Sequence, residues 1–151
     1  MKYYILDPEV AGGFGPNAVI DPTVRPPNVS HFHYQFDGWL GDPLLETIGC
    51  FIVTTHLKHK IEAIAPTGVS FGYVEISKSS EFEDLFPDQE LPEFAWLQVT
   101  GRVGQDDFGL SLRNRLIVSE RILNLLKNEG LSHCDIAEYD PCVDPEEGEE
   151  A

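Results

Sequence analysis

The chain has 151 residues, 42% of them hydrophobic and 11% aromatic, which suits one packed domain. Acids number 26 against 10 bases, a net charge of −16, and so acidic a chain repels phosphate backbones and anionic membrane surfaces. Neither nucleic acid nor membrane is therefore expected as a partner, whereas a basic protein is compatible with the charge.

The first eight residues carry one Lys and an apolar run broken by Asp7, too short for a signal peptide. No stretch approaches the roughly 18 apolar residues of a membrane helix. Cys50, Cys134 and Cys142 are odd in number and irregularly spaced. They read as reduced thiols of a cytoplasmic protein rather than as a disulfide framework.

Tyr3 to Leu6 reads as a first strand. Ala11 to Asn28, dense in Gly and Pro, reads as a long irregular segment that serves a site or wraps the core. Phe32, Tyr34 and Phe36 alternate with polar neighbours, the pattern of a half-buried strand.

A weak internal repeat follows at an offset of 65 residues. Phe51-Ile52-Val53-Thr54 aligns with Leu116-Ile117-Val118-Ser119, each an apolar run ending in a hydroxyl residue suited to cap a helix. Leu57 and Ile61 align with Ile122 and Leu126, keeping one helical face. Ala65 aligns with Gly130, a C-cap, and Val69 and Phe71 align with Cys134 and Ile136, the start of a strand. Upstream, Asp42 aligns with Asp107 and Leu45 with Leu110. The spacing predicts helices over Thr55 to Ala63 and Glu120 to Asn128, the latter with Arg121 facing water. Both copies are expected to share one sheet and one core. Further strands are expected at Gly72 to Ser77, Phe94 to Thr100 and Phe108 to Leu112. The predicted fold is α+β over residues 1–139, a mainly antiparallel or mixed sheet with two short helices.

The charge is uneven. Residues 140–151 hold six acids and no base, with hardly an apolar residue, and read as a disordered acidic tail. Glu75 to Glu93 holds seven acids and one base, Lys78. With Pro87 and Pro92 it reads mostly as loop, either a solvated acidic face or a docking surface for a basic partner.

Catalytic signals are weak. His31-x-His33 would place two imidazoles on one strand face, and Asp106-Asp107 offers adjacent carboxylates, although a Gly-x-Asp-Asp stretch is also a natural turn. His56, His59 and His133 show no metal-ligand spacing. Ser119 lacks the flanking glycines of a nucleophile elbow and reads as an N-cap. No cofactor is expected. A small metal-dependent hydrolase using His31, His33, Asp106 and Asp107 is the alternative to a binding protein. A structural adaptor that works through its acidic tail is a third reading.

Several stretches carry a family resemblance: Phe36-Asp37-Gly38-Trp39-Leu40-Gly41-Asp42-Pro43-Leu44-Leu45-Glu46, Phe51 to Lys58, Thr67 to Phe71, Trp96-Leu97, Gly104 to Phe108 and Leu116 to Glu120. Together they resemble bacterial immunity proteins of polymorphic toxin systems, once catalogued as a domain of unknown function. The resemblance implies a non-catalytic cytoplasmic protein that binds and neutralises a cognate toxin encoded by an adjacent gene. A basic toxin would suit the acidic charge. Asp37, Trp39, Glu81, Glu83, Asp84 and Asp88 are the candidate contact residues.

Overall fold

The computed structural model describes residues 2–21, 23–24 and 28–142. From Val143 onward the expected acidic tail lies outside the described residues. In chain order the elements are β1 (Tyr3–Asp7), β2 (Gly12–Phe14), β3 (Val19–Asp21), β4 (Asn28–His31), β5 (His33–Phe36), β6 (Leu44–Thr47), β7 (Cys50–Thr54) and α1 (Thr55–Ala63). There follow β8 (Val69–Gly72), β9 (Glu75–Lys78), α2 (Ser80–Leu85), β10 (Phe94–Val99), β11 (Phe108–Leu110), β12 (Leu116–Ser119), α3 (Glu120–Asn128) and β13 (Asp135–Tyr139). The fold is α+β, as predicted, with two helices longer than two turns. None of the described helices is long and apolar enough to cross a membrane.

The repeat is real, but its two copies do not share a sheet. One four-stranded sheet runs β6-β7-β10-β8 and the other β11-β12-β1-β13. The registers match at the predicted offset: Leu97 pairs with Phe51 and Phe71, and Leu6 pairs with Leu116 and Ile136. β1, from the start of the chain, thus takes in the second sheet the central place that β10 takes in the first. Sequence comparison at a fixed offset misses this exchange, because the equivalent strand lies at the other end of the chain. In the first strand of each hairpin the offset is 64 rather than 65: Leu44 faces Val53 as Phe108 faces Val118. Leu45 is therefore equivalent to Gly109, not to Leu110.

The shared core forms as expected. Leu44, Phe51, Val53, Leu57, Ile61 and Leu97 pack with Leu6, Phe108, Leu116, Val118, Ile122 and Leu126, each buried aliphatic side chain stabilising the fold by about 2 kcal/mol. Strand alternation sends Ile52, Phe94 and Trp96 to the opposite face of the first sheet. There they meet Phe32, Tyr34, Phe36 and Phe82 in a second, aromatic-rich cluster. A third sheet, β2-β5-β9, supplies that cover, with β5 and β9 parallel.

The covering layer overturns two loop predictions. The glycine-rich segment 11–28 contains β2 and β3, and the acidic segment 75–93 contains β9 and α2. The single strand expected over Gly72 to Ser77 is two strands in different sheets. Gly12 is what lets β2 lie against β5, because a Cβ there would stand 1.9 Å from the Gln35 carbonyl oxygen.

The two long helices run antiparallel. Arg121, at the start of α3, donates to the carbonyls of Ile64 and Ala65 at the end of α1. His56, at the start of α1, bonds Glu129 at the end of α3. Arg121 faces water as expected and is hydrogen-bonded as well. Ala65 and Gly130 both leave their helices at positive φ, 49° and 98°.

Candidate functional site

The backbone after β1 is pinned against the first sheet. Glu46 N donates to Glu9 O at 3.0 Å, and both Asp37 N and Gly38 N donate to Ala11 O. Tyr34 accepts from Ala11 N at 2.9 Å and donates to Glu46 O at 3.2 Å. Burial pushes the Tyr34 phenol far up from its ordinary range. These bonds bring residues 9–12 beside residues 37–40.

The junction encloses a cleft of about 450 Å³, lined by Glu9, Val10, Asp37, Trp39, Leu40 and Phe86 among others. Trp39 is held edge-on to Phe94, and its indole N–H donates to Asp42 O at 2.9 Å. Phe86 packs on Phe82, and Gln89 donates to Trp39 O. Lys78 steadies that segment by donating to Gln89 O at 2.6 Å.

Two properties set this cleft apart. Val10, Leu40 and Phe86 stand 65%, 67% and 43% exposed, a cost the folded chain bears without a partner. Of the lining residues, Glu9 is 8% exposed. One of its carboxylate oxygens accepts from Leu40 N at 2.7 Å, while the other, Oε1, is buried with no hydrogen-bond partner.

Asp37 and Trp39 line this cleft. Glu81, Glu83 and Asp84 project into solvent from α2, whose C-cap is Phe86, and Asp88 follows two residues later. Of the six candidate contact residues, the cleft thus brings together Asp37 and Trp39, while the four acids are exposed on α2 or just after it. Glu9, Val10, Leu40 and Phe86 were not singled out in the sequence, because a lone acid or an isolated apolar residue in a loop carries no motif.

The candidate metal residues fall into two separate places. His31 and Glu75 are 2.8 Å apart, and His33, 2% exposed, bonds Ser77 at 2.7 Å and accepts from Asn17 N at 3.1 Å. The two histidines lie on separate strands, β4 and β5, rather than on one. Asp106 closes the turn between β10 and β11 by accepting from Arg102 N. Asp107 is taken up by Thr67, Ser119 and Arg121. No group of three or more metal-ligating side chains occurs among the described residues.

Ser119 stands at the N-cap position, but its hydroxyl does not cap the helix. It donates to Asp107 Oδ1 at 2.7 Å instead. Its equivalent, Thr54, does cap, accepting from Leu57 N at 3.1 Å. The nearby Arg121 guanidinium and the Ser119 hydroxyl hold the Asp107 carboxyl well below the usual carboxylate range against its burial.

No protein-family model and no curated protein matches the chain.

Proposed function

We propose that this chain is a cytoplasmic immunity protein that binds a cognate bacterial toxin one to one and blocks it without catalysis. The observation that carries this reading is the cleft between residues 9–12, residues 37–40 and Phe86, with its exposed apolar side chains and neighbouring acids. An apolar centre with a polar rim is the anatomy of a protein-binding surface. The acids of α2 stand free in solvent, where they steer a basic partner into contact. The resemblance to polymorphic-toxin immunity proteins points the same way.

The test is co-expression with the product of the neighbouring gene. Rescue of growth, with a complex that survives gel filtration, supports the reading. An adjacent gene without a toxic domain, or a toxic product that fails to bind, overturns it.

A further inference from the structure

We infer that the cleft beside Glu9 receives a single cationic side chain, an arginine, from the protein that docks on this face; the identity of that protein rests on the proposed function.

Glu9 Oε1 is the starting point. A carboxylate oxygen buried without a donor is costly, and the folded chain does not supply one. The oxygen is closed to solvent in the free chain, so the carboxylate turns toward the cleft to take a donor from outside. The lining favours a cation: Glu9 and Asp37 both contribute, and among the described lining residues none is basic. It favours arginine over lysine because Trp39 and Phe86 flank the acids. A planar, weakly hydrated guanidinium packs against aromatic faces while its remaining N–H groups reach a second carboxylate. An ammonium, compact and strongly hydrated, loses more on entering such a cleft.

The site is also built in advance. Glu9 is fixed by its Oε2 bond to Leu40 N and by the backbone bond from Glu46. At Asp37 the backbone is held by the bond from its own N–H to Ala11 O, and the carboxylate is exposed. Holding these backbones in advance lowers the ordering cost of binding.

The full chain, isotopically labelled, is titrated with Nα-acetyl-arginine amide while the indole N–H signals are followed. The Trp39 signal should move and saturate at millimolar probe, and that of Trp96 should not. Glu9→Gln should weaken the probe about tenfold, and Asp37→Asn, an exposed change that leaves the fold intact, about threefold. Absence of a saturable Trp39 shift overturns the site, as does equal binding by both variants. Equal affinity for Nα-acetyl-lysine amide overturns the assignment to arginine. The toxin complex separates this proposal from the broader one. A complex unaffected by Glu9→Gln overturns the arginine site and leaves the inhibitor reading standing. Probe binding by a chain that captures no toxin supports the site and removes the inhibitor reading.

Discussion

Asp42 and Asp107 each hold the loop that follows the helix of the other repeat copy. Asp107 accepts from the Thr67 amide at 2.9 Å, and Asp42 accepts from the amides of Ser132 and His133 at 3.1 and 2.7 Å. Thr67 and Ser132 are themselves repeat equivalents. The two sheets are thus fastened to each other by reciprocal clasps, a relationship that explains why separate sheets share one core.

The clasps should differ in strength. Asp107 also receives two guanidinium bonds from Arg121 and one from Ser119, whereas Asp42 accepts from neutral amides and a hydroxyl. Removing a carboxylate from a largely buried, charge-paired site costs about 3 kcal/mol or more, and from an amide clasp about 2 kcal/mol. Asp107→Ala should therefore lower the urea-unfolding free energy more than Asp42→Ala. The reverse order would break this account.

Thr54 and Ser119 occupy the same repeat position with different partners. Thr54→Ala should cost about 1 kcal/mol, the usual loss of an N-cap. Ser119→Ala removes a buried bond to a carboxylate and should cost about 2 kcal/mol. A double change with Asp107→Ala should show strong non-additivity for Ser119 and none for Thr54. Chemical denaturation of the single and double variants reads this out.

Acid should weaken the fold through two carboxyls. Arg121 depresses Asp107 from its ordinary 3.8, and the bond with His31 depresses Glu75 from its ordinary 4.5. A depressed carboxyl lends stability that is whole above its unfolded pKa and drains as pH falls toward the folded value. Urea midpoints should hold down to about pH 5 and then decline, Glu75 contributing first and Asp107 further down. Asp107→Ala should flatten the lower part of that decline, and Glu75→Gln the upper part.

Gly12→Ala should destabilise the chain by about 3 kcal/mol, since the new Cβ would sit inside the Gln35 carbonyl. Gly130→Ala meets open space but a positive φ, and should cost about 1 kcal/mol. Thermal unfolding of the two variants distinguishes a steric penalty from a conformational one.

Charge reversal of Glu83 and Asp84 should slow association with the toxin about tenfold at low salt, and the gap should close at high salt. Both residues stand in solvent on α2, so the fold should survive. Unchanged association rates would move the steering surface elsewhere.

Part of this architecture was legible from residue order. The ends of α1 and α3 coincide with those read from the apolar spacing, because each helix buries one face, with Leu57 and Ile61 or Ile122 and Leu126 at matching intervals. The segment 75–93 was misread because its charge and prolines hide Phe82, a single apolar residue that suffices to seat the short α2. Ser119 is the N-cap that its position predicted, but its hydroxyl does not cap, because the direction of a hydroxyl depends on the nearest stronger acceptor, here Asp107.

Local pattern alone determined the fold class, the two amphipathic helices, the repeat and the uneven charge, since each rests on neighbours within a turn or a strand. Tertiary structure alone decided that β1 completes the second copy, that two sheets replace one, and that Asp42 and Asp107 cross between them. It also created the cleft, by folding Glu9 against Leu40 and Phe86 beside Trp39. Those contacts join residues separated by dozens of positions, and their energies come from burial and donor supply that no stretch of sequence contains by itself.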